Sequence, residues 1–160
     1  MVRSKPWPKF QGNVRSISSM AEWSALLKRA GDDNRCFVLV DCFAYWCPPC
    51  KAAASIYAQM SLEYKDVLFA KVDVDAAGDV AKLLEVSAMP SFFLFGRAES
   101  HEPKYKCVDK CVGWSESRVR HMLELRGVQR VHVDLKDVQQ RSGGGGLSDE
   151  ERRSLIASQA

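Results

Sequence analysis

Apolar residues recur along this chain with two periods, and the switches between them mark out the elements. Residues 36–43, Cys-Phe-Val-Leu-Val-Asp-Cys-Phe, are almost wholly apolar and rich in β-formers, which predicts a central strand covered on both faces. Residues 67–75 alternate, with Val67, Phe69, Lys71 and Asp73 on one side and Leu68, Ala70, Val72 and Val74 on the other; they predict a second inner strand. A third strand, over 91–95, starts directly after Pro90, and a polar turn over 96–104 returns it as a fourth over 105–114. Val14 and Ile17 give a weaker strand signal over 13–18. The helical period takes over in between. Ser19-Met-Ala-Glu22 has the form of a capping box, Met20, Trp23, Leu26 and Leu27 share the face that follows, and Gly31-Asp-Asp-Asn34 is the expected stop. Residues 52–64 carry Ile56, Met60 and Leu62 with no Gly or Pro and predict a helix; 80–86 predict a short one. Ser115-Glu-Ser-Arg118 opens a last helix with Val119, Met122, Leu123 and Leu125 as its apolar stripe.

At both ends the pattern fades. Residues 1–12 contain Pro6 and Pro8 and read as an extended, loose arm, with Trp7 and Phe10 the candidates to dock on the body. After Gly127, residues 131–135 alternate like a strand, 143–146 are four glycines of a flexible linker, and Ser148-Asp-Glu-Glu151 is positioned to cap a short helix reaching Ile156. The expected organisation is an arm over 1–12, one packed domain over 13–127 and an extension over 128–160.

Charge and composition narrow the partners. The formal net charge of +3 is spread out, with no basic stripe interleaved with aromatics, so nucleic acid is not an expected partner. The apolar runs are of strand length, too short to span a membrane. The 6 cysteines follow no visible signal peptide, which favours a reducing compartment, the cytoplasm, over a secreted disulfide framework. Arg3, Lys5, Lys9 and Arg15, with no acid before Glu22, leave a mitochondrial address as the minority reading, opposed by Pro6 and Pro8.

The chemistry is concentrated in Trp46-Cys47-Pro48-Pro49-Cys50-Lys51, between the central strand and a helix. A helix N-terminus offers free N–H groups and the positive dipole end, and both stabilise a thiolate. Residues three apart share a helix face, so two sulfurs there can bond or separate. Zinc sites use the same spacing but need a second ligand pair, for which Cys107 and Cys111 are the candidate. Asp41 is the one charge inside the central strand, and burying a carboxylate demands a reason. Cys36 and Cys42 read as small buried hydrophobes. Cys107 and Cys111, four apart on an extended strand, stand about 13 Å from each other and could bridge only across a turn or bulge.

The element order, together with Val40-Asp41-Cys-Phe-Ala-Tyr-Trp46-Cys47-Pro-Pro-Cys50-Lys51, Ala70-Lys71-Val-Asp73-Val-Asp75, Ala88-Met89-Pro90 and Val112-Gly113, resembles the thioredoxin family over residues 13–127. The resemblance implies an α/β thioredoxin fold, a central mixed sheet flanked by helices on both faces, with the cysteine motif exposed at one end. It implies a thiol–disulfide oxidoreductase in which Cys47 is the attacking thiolate, Cys50 the more buried resolving thiol, and Asp41 the proton acceptor beneath it, tuned by Lys71. Pro90 would be the cis proline facing the disulfide, with Met89, Gly113 and Trp46 forming the substrate rim. No cofactor or metal is implied. The implied partners are an upstream thioredoxin reductase-like flavoprotein and downstream disulfide-containing proteins such as peroxiredoxins, served by a monomer. Pro48 departs from the glycine common in thioredoxins, and Ser55 from the usual helix-kinking proline, so a straighter helix is expected. Redoxins with Cys-Pro-Pro-Cys also include tryparedoxins and cytochrome-maturation reductases, which leaves a disulfide oxidase or isomerase as an alternative. An adaptor presenting its C-terminal tail is another.

Overall fold

A computed structural model describes residues 6–99 and 103–134, together with 136 and 138. The described elements run β1 (Val14–Ile17), α1 (Met20–Asp32), β2 (Phe37–Phe43), α2 (Pro48–Glu63), β3 (Val67–Asp73), α3 (Gly78–Leu83), β4 (Ser91–Arg97), β5 (Tyr105–Val112) and α4 (Glu116–Glu124). The sheet order is β1-β3-β2-β4-β5. β1, β3 and β2 are parallel; β4 and β5 are antiparallel additions, so the sheet is mixed and β2 lies at its centre.

The apolar run of β2 serves two cores at once. Val38, Val40 and Cys42 pack with Trp23, Leu26 and Ala30 of α1 and Val80 of α3. Leu39, on the other side, packs with Tyr57 and Met60 of α2 and Val119 and Leu123 of α4. By the alternation of a strand, Asp41 and Phe43 share Leu39's side, the α2 side. A third cluster, Phe43, Ala44, Cys47 and Cys50, closes the end of β2 where the chain turns into α2. The fold therefore delivers the cysteine motif and Asp41 to one end and one face of the sheet.

Helix starts follow their caps. The Ser19 hydroxyl accepts the Glu22 N–H at 3.1 Å, and the Glu22 carboxylate reaches back to the Ser18 N–H at 2.6 Å, one residue before the usual partner. α1 continues through Gly31, contrary to the expected stop, and the chain turns at Asn34, whose φ of 54° is left-handed. α3 sits two residues earlier than the pattern suggests and gives way to Glu85, also left-handed. α2 runs unbroken from Pro48 to Glu63.

Some expectations are corrected. Cys36 is exposed rather than buried; Cys42 is buried as expected. A bulge does interrupt β5: Leu94 faces Asp109 while Phe95 faces Cys107, leaving Val108 extra. It does not bring Cys107 and Cys111 together. Cys107 pairs with Phe95 on the α1 side, and Cys111 with Phe92 on the α2 side, so the thiols lie on opposite faces of the sheet. Residues 131–134 do not form the expected strand. The chain leaving α4 instead buries Val128 in the α2–α4 core, and the Val131 N–H donates to the Glu63 carbonyl at 2.8 Å. The glycine linker and the terminal helix expected from the sequence lie outside the described residues.

Candidate active site

α2 begins on a proline pair, which fixes what its first turn can offer. Pro48 and Pro49 have no N–H, so Cys50 is the first donor, and its N–H points at Cys47 Sγ, 3.3 Å away. Cys47 is the helix N-cap. The two cysteines are joined as a disulfide with their Cα atoms 5.3 Å apart. Cys47 is less open than its place at a helix start suggests: it is 4% exposed, against 0% for Cys50. Exposure is supplied by its neighbours, Trp46 at 68% and Tyr45 at 54%. The Trp46 indole donates to the Asp75 carboxylate at 2.9 Å, which holds the ring at the rim. Across the site the Met89 carbonyl lies 3.8 Å from Cys47 Sγ, and the Met89–Pro90 bond is cis. The Gly113 N–H donates to the Pro90 carbonyl at 2.8 Å, and Gly113 takes a φ of 82° that suits glycine. The cysteine turn, the start of β4 and the end of β5 thus converge.

Beneath them lies Asp41. It is buried, and its Oδ1 has no hydrogen-bond partner. Tyr57, on the same side of the sheet, is committed elsewhere: its oxygen is 2.7 Å from the Ala70 carbonyl and 3.0 Å from that of Leu39. Burial pushes the Asp41 carboxyl up to about 7, and the positive charge of Lys71 only partly opposes this. Lys71 is the register neighbour of Asp41 on β3. Burial lowers the pKa of its ammonium, with Asp41 acting in the opposite sense. The two do not form an ion pair. The Lys71 ammonium donates instead to Gln11 Oε1 and sits 5.5 Å from the centre of the Phe43 ring. Cys42, next in the strand but on the other face, is an inert thiol whose pKa burial drives well above the usual range.

The described part of the arm, from residue 6 on, expected to be loose, is docked. Trp7 packs edge-on against Phe43 and Tyr45, with ring centroids 5.4 and 5.1 Å away, and its indole donates to the Tyr45 carbonyl at 3.1 Å. Trp7 carries a signal in the sequence, as one of two large aromatics in the arm. Gln11 carries none, because a glutamine between Phe10 and Gly12 is indistinguishable from a solvated one. Tyr57 and Asp75 escape sequence reasoning likewise, since each looks like ordinary helix or loop content. Among the described residues no three or more His, Cys, Asp or Glu side chains are gathered so as to hold a metal ion.

Residues 17–111 match the family described as Thioredoxin. The chain belongs to the thioredoxin family. It is 34% identical over 112 residues to an H-type thioredoxin of Brassica campestris, covering 70% of this chain and 85% of that one. It is 42% identical over 89 residues to thioredoxin-1 of Schizosaccharomyces pombe, covering 56% and 82%. Among solved structures, a poplar thioredoxin h aligns at 30% identity with a TM-score of 0.64, over 72% of this chain and 96% of its own. Thioredoxins are thiol–disulfide oxidoreductases, and this chain is one, working through its Cys47–Cys50 pair. The family works with a thioredoxin reductase and with disulfide-bearing substrates. No helix among the described residues is long and apolar enough to cross a membrane.

Proposed function

We propose that Cys47 attacks the substrate disulfide and Cys50 resolves the adduct, with Asp41 as proton acceptor and Lys71 setting its poise. The observation that carries this is the pairing of a helix-capping sulfur, facing the Cys50 N–H, with a buried carboxylate one strand back whose Oδ1 has no hydrogen-bond partner. The Cys47 thiolate bonds to one substrate sulfur, and the substrate S–S bond breaks, releasing a thiolate that takes up a proton. Cys50 then passes its proton to Asp41 and attacks Cys47 Sγ. The second substrate thiolate leaves, and the protein retains the Cys47–Cys50 disulfide. Two electrons have passed to the substrate. An upstream flavoprotein of the thioredoxin reductase type returns them, and proteins with accessible disulfides, such as peroxiredoxins, receive them.

Substrate approaches over Trp46 and lies extended against Met89, Pro90 and Gly113, where backbone groups meet a peptide as a strand would. A dithiol reductant requires a compartment that keeps its pair reduced, and we assign this one to the cytoplasm, as a monomer whose domain spans 13–127 and carries 128–160 as an extension.

The test is turnover of a protein disulfide with a dithiol reductant. Wild type turns over; Cys47→Ser does not; Cys50→Ser accumulates the mixed disulfide. Equal inertness of wild type and Cys47→Ser sinks the assignment. Equilibration of the pair against glutathione separates a reductant from an oxidase or isomerase.

A further inference from the structure

The arm reaches the chemistry through a single side chain. Gln11 Oε1 accepts from Lys71 Nζ, sixty residues away in sequence. Gln11 is itself held: its Nε2 donates to the Pro8 carbonyl at 2.8 Å. The next residue, Gly12, has φ +55°, and a Cβ there would stand 2.2 Å from the Ala58 carbonyl of α2, so only glycine lets the arm lie this close. Asn13 N–H then donates to Ser61 Oγ at 2.8 Å, and on the other side Trp7 is wedged against Phe43, the ring beneath the Lys71 ammonium. Gln11 is therefore fixed at both flanks and bonded to a cation that has an alternative partner one strand away.

That alternative is Asp41. The two residues share a register position on neighbouring parallel strands, and Asp41 Oδ1 lacks a hydrogen bond. The groups on Asp41's side of the sheet are Lys71 from β3 and, from α2, Tyr57 and the disulfide-bonded Cys50 of the first turn; β4 contributes the apolar Phe92, and Cys42 lies on the reverse face of the same strand. The Tyr57 proton is committed to backbone carbonyls. Lys71 is thus the cation whose placement can shift the charge state that burial gives the carboxyl.

We propose that Gln11 is a positioning residue, which by binding the Lys71 ammonium keeps that cation off the Asp41 carboxyl and leaves the carboxyl free to exchange a proton with Cys50. A neutral acceptor suits this role, because it satisfies the lysine without adding a second negative charge beside Asp41. The inference rests on the reading of Asp41 as proton acceptor.

The test is carbon-detected NMR titration of the Asp41 carboxyl in the oxidised full-length chain, beside the pH profile of kcat/KM. In Gln11→Leu the ammonium turns to Asp41, and the midpoint falls by about one unit, the ordinary effect of a newly adjacent opposite charge. The acidic limb of the profile moves with it. In Gln11→Glu the ammonium is held more tightly and the midpoint rises. In a Lys71→Met background, Gln11→Leu moves nothing. An unchanged or raised midpoint in Gln11→Leu, a fall in Gln11→Glu, or a shift that survives Lys71→Met overturns the proposal. If Gln11→Leu does not fold, Gln11→Ala takes its place, with the same fall expected and the same outcomes overturning the proposal. Asp41→Asn tests the underlying reading separately: a limb unchanged in that variant removes Asp41 from the mechanism, whatever Gln11 does to its titration.

Discussion

Asp41 and Glu63 are each 4% exposed, though Asp41 lies the deeper of the two, and their surroundings drive them in opposite directions. Asp41 has an unpartnered oxygen and a lysine that donates elsewhere, and burial raises its pKa to about 7. Glu63, at the far end of α2, would be raised by burial too, but Gln59, Arg120 and Arg130 donate to its carboxylate, and together they bring it below its ordinary value. Tyr64 and Glu116 complete that cluster through Arg120. Burial alone therefore does not make a carboxylate reactive. Filled lone pairs tie an acid into the architecture, here joining α2, α4 and the chain after α4; unfilled ones leave it able to take a proton.

The sharpest way to break this contrast is Asp41→Asn. Turnover at pH 7 is expected to fall on the order of 10²-fold. Stability should move the other way. Because the folded value lies above the ordinary 3.8, the Asp41 contribution is full below pH 3.8 and is lost as pH rises through about 7. The substitution removes that loss, so at pH 9 the variant should be more stable by roughly 3 kcal/mol, somewhat under the full linkage value because an amide must also be buried. Urea unfolding at pH 4 and pH 9 checks it: the advantage should vanish at the lower pH. Equal stability of wild type and variant at pH 9 would show Asp41 to be as well satisfied as Glu63.

Arg120→Leu tests the other half. Arg120 is held by Glu63, Tyr64 and Glu116, and its removal leaves Glu63 with the half-exposed Arg130. A loss of about 3 kcal/mol is expected, the low end for a broken buried pair since one cation remains. Turnover per folded molecule should hold. Glu63→Gln is milder, roughly 1–2 kcal/mol at pH 7, because the amide keeps an acceptor but loses the charge-assisted bonds. Its pH dependence is the mirror of Asp41's. The Glu63 contribution is present above the ordinary 4.5 and is lost as pH falls through its lowered value, so wild type and variant converge in acid.

How far this contrast can be read from sequence differs between its two members. Asp41 stands out because it is a lone charge in an apolar strand, and the run Phe37–Phe43 marks that strand as interior. The cysteine turn is legible for the same kind of reason: Cys47-Pro-Pro-Cys50 must begin a helix, and a helix start has its own chemistry. Glu63 is invisible, since Ser61-Leu-Glu63 at the end of a helix resembles a solvated C-terminal turn, and its partners lie up to 67 residues away. Long-range pairing leaves no local period. Lys71 is half legible. Its register with Asp41 follows from parallel pairing, but its bond to Gln11 depends on where the arm lies, and two prolines read as looseness when they in fact shape a docked segment. Cys107 and Cys111 read correctly as two separate thiols; the bulge between them is one that local composition permits, but which way each thiol faces only the pairing with β4 decides.

The smallest effect asks whether the two carboxylate sites are independent. Trp7→Ala removes two edge-on ring contacts and an indole hydrogen bond from a partly exposed residue on the Asp41 side, and should cost about 1 kcal/mol. It shares no contact with the Glu63 cluster. In the Trp7→Ala/Arg120→Leu double variant the two losses should therefore add to within about 0.5 kcal/mol. Urea midpoints of the four proteins decide it. A coupling well beyond that value would mean that α2, which begins at the cysteine motif and ends at Glu63, transmits strain from one site to the other, and the division between a reactive end and an architectural end would have to be given up.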